Sequence, residues 1–292
     1  MFAIIGATGN VGFSTSSALR RAGVPVRAIL RDTAKAARLS EIGCEIAMAD
    51  LQDAGSLAKA IGDADAVQII VPVSPRAKDP AGDLTRSIES VVDALAKARP
   101  KRVLAISDYG AHVADDIGMP SVFHGLEIRL GGLDAHVLVL RSAEHMHNWA
   151  RVFPMAVASG SLPTFQDPLG MAQPTIAAQD LGVIAANLLL RPDSGRDLEV
   201  IHAEGPRRYS ANDVAAAVSQ LSGRVVHAQA VPRSRWKETF ERTMPASLAD
   251  LLIKANDAKN EGGLVDIAPN AGEVCYGTTE LIDALRALVP PV

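Results

Sequence analysis

The chain has 292 residues, 48% of them apolar, and a formal charge of −4 at neutral pH. That length accommodates one large domain or two around a sizeable core. The absence of any Lys/Arg-rich run argues against nucleic acid as a main partner, and no run of about 18 apolar residues marks a membrane span.

Two distant cysteines, Cys44 and Cys275, supply neither a disulfide framework nor a metal quartet. With no charged leader or cleavage site at the N-terminus, a reduced, cytoplasmic setting is expected. Aromatics are only 4% of the chain, which directs attention to Tyr109, Trp149 and Trp236.

Short apolar runs alternate with amphipathic stretches from the first residue. Phe2–Ile5 reads as a strand, and Val11–Ala22 as a helix burying Val11, Leu19 and Ala22 and ended by Gly23. Pro25–Leu30 is a second strand, Ala34–Ile42 a short helix, Glu45–Ala49 a third strand and Ser56–Ile61 a short helix. Ala66–Val71 is an almost wholly apolar fourth strand, Leu84–Ala98 a long helix and Arg102–Ser107 a fifth strand. A helix near Phe123–Leu133 and a strand at His136–Arg141 follow. Continuous apolar strands need helices on both faces, so the fold class is α/β, a doubly wound, Rossmann-type parallel sheet.

After Trp149 the texture changes. The Gly- and Pro-rich 160–174 reads as loop or short hairpin, Ala178–Leu190 as helix and Leu198–His202 as strand. Ser210–Ser222 is a helix with Ser210 as N-cap and Gly223 as stop, and Pro232–Asn256 is helical in two pieces around Pro245. The expected division is a dinucleotide-binding core of 1–148 and 174–203, and a smaller, mostly helical substrate lobe of 149–173 and 204–292.

The first strand runs into "GATGNVG", with Gly6, Gly9 and Gly12 spaced three apart. Gly6 suits the tight turn, Gly9 lets backbone approach a pyrophosphate, and Gly12 permits close packing of helix on strand. The helix N-terminus then offers free N–H groups and its positive dipole end to phosphate. Thr8, Asn10 and Val11 complete the expected cradle. An acidic residue at the end of the second strand would favour NAD(H). Here the strand ends in Leu30 and Arg31, and a guanidinium pairs with a 2′-phosphate, so NADP(H) is favoured over NAD(H). Lys35 and Arg38 stand ready to assist; alternatively Arg31 is a solvated charge paired with Asp32. Asp50 and Leu51 are expected at the adenine, with Asp50 alternatively a cap of the next helix. Val71 and Pro72 open the "VPVSPRAKDP" segment expected to pass the pyrophosphate and nicotinamide ribose.

The segments "GATGNVG", "RAILRD", "ADLQD", "FHGLEIRL" and "VLRSAEHMHNW" resemble the NmrA-like group of atypical short-chain dehydrogenases. The later "AAQDLGVIAANLLL", "AEGPRRYSANDVAAAVSQLSGR" and "YGTTELIDAL" match in type and order, so the resemblance spans essentially the whole chain. It implies a Rossmann core with a small C-terminal substrate lobe. It also implies either an NADPH-dependent reductase, of quinones or phenolic compounds, or a dinucleotide-binding redox sensor that acts through a protein partner.

Ordinary short-chain dehydrogenases pair a Tyr with a Lys four residues later. Here Tyr109, Tyr209 and Tyr276 are followed at that spacing by Val113, Asp213 and Glu280. The Lys that the phenolic reductases carry before the helix Glu is also missing, with none from Ile117 through Arg151. Two residues stand in as candidate catalytic groups. Tyr109, just past the fifth strand, is a candidate to flank the nicotinamide or donate to substrate. His124 is a candidate general acid. His145, Met146, His147 and Trp149 are expected to line a substrate cleft, with Trp149 alternatively core, and no metal is expected there. A quinone accepts hydride readily and takes its proton from a weak donor, so a small electron-poor acceptor fits the missing pair better than a ketone. A homodimer or a regulatory protein is the other partner the sequence leaves open. Arg31→Ala is expected to weaken NADPH binding by roughly tenfold or more, the worth of a charge-assisted hydrogen bond, and to leave NADH binding nearly unchanged in fluorescence titrations. Equal losses would reject Arg31 as the 2′-phosphate ligand.

Overall fold

The computed structural model describes residues 1–75 and 77–286. In chain order these form β1 (Phe2–Ile5), α1 (Asn10–Arg21), β2 (Val26–Leu30), α2 (Ala37–Glu41), β3 (Glu45–Met48), α3 (Ala54–Ile61), β4 (Ala66–Ile69), α4 (Pro80–Ala98), β5 (Arg102–Asp108), α5 (Met119–Leu130) and β6 (His136–Ser142). Then come β7 (Glu144–His145), α6 (Phe153–Ser159), β8 (Ser161–Thr164), β9 (Thr175–Ile176), α7 (Ala178–Leu190), β10 (Leu198–Glu204), α8 (Ala211–Ser222), β11 (His227–Ala230), α9 (Trp236–Glu241), α10 (Ala246–Glu261), β12 (Glu273–Tyr276) and α11 (Leu281–Arg286).

Eight strands form one sheet in the order β12-β10-β6-β5-β4-β1-β2-β3. Every pairing in it is parallel. Successive side chains on a strand face opposite ways, and the sheet sorts accordingly. Ile4, Leu104, Leu138 and Leu140 pack with α1 and α7 residues such as Leu19, Leu181 and Ala185. Ala3, Ile5, Val103, Ala105 and Val139 pack on the other face with α3, α4 and α5. The direction of strand order reverses between β1 and β4, and dinucleotides bind outside the carboxyl ends of strands at such a switch point.

Several expectations are corrected. Ala22 faces solvent, and α1 instead buries Val11, Gly12, Thr15, Ser16 and Leu19. The buried polar residues Thr15 and Ser16 turn their hydroxyls back onto the Val11 and Gly12 carbonyls, at 3.0 and 2.8 Å, so small polar side chains bury as readily as Ala does. Residues 160–174 hold no hairpin: β8 pairs in parallel with the distant β11. The strands β7, β9 and β12 and the helix α6 were unread, being too short for periodicity to register. The Ser210 cap is present as a full capping box with Asp213, and Gly223 ends α8 in the left-handed conformation.

The helix carrying the glycine loop is pressed from behind by α7. Gly182 lies so close to α1 that an added Cβ would sit 2.5 Å from the Ser14 Cβ and 2.6 Å from the Val11 carbonyl oxygen. The Ser14 hydroxyl donates to the Gln179 carbonyl at 2.7 Å across the same seam. Overpacking here must move one helix, so Gly182→Val is expected to cost about 1–3 kcal/mol. Urea denaturation followed by circular dichroism reads that loss directly.

Candidate functional site

The phosphate cradle is built by close approach. A Cβ at Gly12 would sit 2.4 Å from the Gly6 carbonyl oxygen and 2.8 Å from the Ala7 Cα, so only glycine lets α1 start this near to β1. Gly9 is different: a Cβ there would meet only the Gly6 oxygen, at an ordinary 3.5 Å. The protein leaves that space open, directly in front of the helix N-terminus. Gly9 is the N-cap and has no side chain to offer the first N–H groups of α1. Thr8 and Asn10 flank it in solvent, while Val11 is buried in the core. An anion of pyrophosphate size fits this open, donor-lined cradle.

At the end of β2, Arg31 is exposed. Asp32 does not pair with it, because its carboxylate accepts the Ala34 N–H at 2.9 Å and caps a short 3-10 turn. Arg38 is spent elsewhere, its guanidinium stacked 4.1 Å from the Phe13 ring centroid. Asp50 is exposed and accepts from the Gln52 N–H; Asp53, not Asp50, caps α3. Leu51 packs half-buried on the core, Val71 is buried and Pro72 exposed. Arg76 of the following segment lies outside the described residues.

On the other side of the switch point, charge takes over from glycine. Ser107 and Arg141 are register partners on β5 and β6. Ser107 Oγ donates to Glu127 Oε1 at 2.5 Å, and Arg141 grips the same carboxylate with both arms, at 3.0 and 2.6 Å. Only 9% of the Arg141 side chain and 11% of the Glu127 side chain are exposed. This network pins α5 to the strand ends that carry the next residues, Asp108 and Ser142.

Alternation sends those two to the opposite face. Asp108 is flanked by Lys259 from α10 and Glu144 from β7, with Glu127 behind it on α5. Lys259 Nζ donates to Glu144 Oε2 at 2.6 Å. Two sets of contacts hold the helix end bearing Lys259. Lys254 pairs with Asp116, while Asn260 accepts from the Asp167 N–H and donates to the Phe165 carbonyl at 3.1 and 2.8 Å. Protein crowds Asp108, Glu144 and Lys259, yet solvent still touches 41% of the Glu144 side chain and 23% of that of Lys259. The cluster is thus packed by protein and still reached by solvent. Desolvation pushes the Asp108 carboxyl up to about 7, against the pull of Lys259 and with the help of Glu144. Lys259 holds Glu144 below the usual carboxylate range, and burial of Lys259 is outweighed by its two acidic neighbours.

The two expected catalytic groups are engaged elsewhere. Tyr109 is 1% exposed, its ring set edge-on to His202 and its hydroxyl donating to Glu204 at 3.4 Å. Burial first, and Glu204 second, push its phenol well above the usual range. Glu204 also meets Arg208, which pairs with Asp266, so Tyr109 belongs to a structural cluster. His124 Nδ1 lies 2.6 Å from the Ala111 carbonyl and must carry the proton there, leaving Nε2 as an acceptor in the neutral ring. Met146 does not line a cleft. It is fully buried with Phe153, Tyr209 and Val214, because the 3-10 turn of 146–151 points it inward, and Trp149 packs against the same cluster. His145 and His147 stack at 5.2 Å in a tilted pair. Burial, then His147, brings His145 down to about 4, so it is a neutral polar ring whose Nε2 reaches the Ser142 hydroxyl at 3.3 Å. Asp108 and Lys259 were not singled out from the sequence. Asp108 stands at the end of a central strand, a positional signal that was available; Lys259 looks locally like any helical lysine.

Residues 6–128 match the model of an NAD(P)H-binding family. The chain is 26% identical over 254 residues to an NAD(P)H azoreductase of Xenophilus azovorans, covering 86% of this chain and 85% of that protein. It is 24% identical over 293 residues to quinone oxidoreductase 2 of Escherichia coli K12, covering 99% and 98%. The crystal structure of the NADPH-dependent quinone oxidoreductase QOR2 of Escherichia coli complexed with NADPH superposes with a TM-score of 0.79 at 23% identity over 99% of both chains. The Citrobacter sp. triphenylmethane reductase complexed with NADP(H) gives 0.80 at 20% identity, over 99% of this chain and all of that one (100%). Residues 6–128 thus match an NAD(P)H-binding family, and the whole chain shares the Rossmann-type fold of these structures. The two relatives are, by name, an azoreductase and a quinone oxidoreductase.

Removing one partner of a buried ion pair leaves the other charge uncompensated, at about 3–5 kcal/mol. Arg141→Met is therefore expected to destabilise the protein by that amount in denaturant unfolding, whereas Arg129→Met, at an exposed pair with Glu89, changes stability by about 0–1 kcal/mol.

Proposed function

We propose that the protein is an NADPH-dependent reductase that passes hydride to a small, apolar, electron-poor acceptor such as a quinone. The observation that carries this reading is the charged cluster of Asp108, Glu144 and Lys259 at the ends of β5 and β6, beyond the switch point from the glycine turn. Each half of such a sheet takes one half of a dinucleotide. The cradle of Gly6, Thr8, Gly9, Asn10, Val11 and Gly12 would hold the pyrophosphate, with Arg31 at the 2′-phosphate and Asp50 and Leu51 at the adenine. Val71 and Pro72 would pass the nicotinamide ribose. Bound there, the reduced coenzyme supplies a hydride at its nicotinamide ring.

The chain's own part is placement and proton handling. His145, His147 and the edge of Trp149 form the rim on the acceptor side. The segments 149–173 and 204–292 act in this reading as the substrate lobe, since α10 brings Lys259 to this cluster. A quinone accepts hydride readily, and orientation of acceptor against nicotinamide supplies most of the rate. The azoreductase and quinone oxidoreductase relatives support an acceptor that is reduced by two electrons.

A second reading, a redox sensor acting through a protein partner, draws on the engaged state of Tyr109 and His124. One experiment separates the two. Stopped-flow loss of NADPH absorbance over a panel of benzoquinones, naphthoquinones and azo dyes is expected to show multiple turnovers with at least one acceptor and slower oxidation of NADH. Tight NADPH binding without turnover on any of them supports the sensor.

A further inference from the structure

We propose that Asp108 is the proton donor to the reduced acceptor, and that Lys259, held by Glu144, is the positioning residue that governs it. The inference rests on the reductase reading and names the residue that completes its chemistry. The geometry is specific. Asp108 is the last residue of β5 and pairs in register with Ser142 of β6, at the carboxyl edge where the nicotinamide half of a dinucleotide lies. The Ser107–Glu127–Arg141 network anchors the preceding residue on each strand, so the Asp108 backbone is fixed. Glu127 has both oxygens taken by that network. Asp108 has no such clamp, and the cation nearest its charge, Lys259, is committed to Glu144 at 2.6 Å.

The charged groups around Asp108 come from three elements. Lys259 of α10 favours its carboxylate, while Glu144 of β7 and Glu127 of α5 oppose it. Desolvation is the largest opposing influence, and the carboxyl is pushed up to about 7. A general acid works best when its pKa lies near the operating pH. The proton balance closes with a quinone. Hydride brings one hydrogen with two electrons, the Asp108 O–H bond breaks as an O–H bond forms on the acceptor, and the hydroquinone leaves. The carboxylate that remains faces the Lys259 ammonium and recovers its proton from the solvent that reaches the cluster. The Tyr109 hydroxyl is committed to Glu204, and His124 Nδ1 to the Ala111 carbonyl.

Two measurements test this. In the coenzyme-free protein, carboxyl 13C NMR of Asp-labelled material, assigned with Asp108→Glu, is expected to show Asp108 titrating near 7. Lys259→Met should move that midpoint upward, because the cation that favours the carboxylate is gone. A midpoint near 4 overturns the proposal without reference to turnover. In steady state with NADPH and a benzoquinone, wild-type kcat is expected to fall as pH rises through about 7, as the acid form is lost. Asp108→Asn should lower kcat by about 10²-fold or more, abolish that break and leave the NADPH Kd within about twofold. Lys259→Met should shift the break to higher pH, and Lys259→Arg should restore it. A purely structural lysine would change stability without moving the break. An Asp108→Asn enzyme that keeps both rate and break overturns the donor role and leaves the reductase reading standing. Absence of NADPH oxidation with every acceptor overturns the reductase reading and the donor role together.

Discussion

The approach of α1 to the turn after β1 is the constraint from which the site is laid out. With the place of a Gly12 Cβ only 2.4 Å from the Gly6 oxygen, there is no slack in where the helix begins. Its N-terminus is therefore aimed, and α7 holds it from behind through Gly182. Strand order fixes the rest. Because the chain crosses from β3 to β4 on the other side of β1, the switch point falls beside this loop, and the ends of β4, β5 and β6 become the neighbouring ground. One half of the site is thus shaped by atoms that are missing, which leaves the α1 N-terminus open in front of Gly9.

The other half is shaped by charges that are imperfectly shared. Two carboxylates lie near the ends of β5 and β6 and have opposite circumstances. Glu127 is matched by a bidentate guanidinium and a hydroxyl, an arrangement that satisfies its oxygens and fastens α5. Asp108 sits across the sheet in a crowded place where one ammonium serves two acids. A low-dielectric setting punishes the less well matched of these, and that one is Asp108. The same sheet edge therefore holds one group built for rigidity and one left able to exchange a proton.

The strands and helices of the sheet were legible because their signals are local. Apolar alternation assigns Ile4 to one face and Ile5 to the other, and Ser210 with Asp213 announces α8. The two- to four-residue strands carried no such signal, and the pairing of β8 with β11 depends on residues more than 60 apart in sequence, as the Ser161–Gln229 bond shows. At the site, the close-packed glycine turn before α1 was legible as a contiguous motif. The acceptor side was not, because its members gain their meaning only across elements. Tyr109 and Met146 looked available from sequence and are buried. Lys259 looked like a surface charge and reaches Glu144. Between Ile117 and Arg151 no lysine exists, and the fold supplies one from a helix that local patterning could only describe as amphipathic.

The Lys259–Glu144 bond spans 115 residues of sequence. At a synthesis rate of about 5–20 residues per second, the strand end bearing Asp108 and Glu144 leaves the ribosome on the order of ten seconds before its cation does. During that interval the glycine turn and strands β1 to β6 can already form, without the cation that later pairs with Glu144. The glycine turn and the strand ends are thus made well before the lysine that bridges to them, and the order of synthesis becomes an order of assembly.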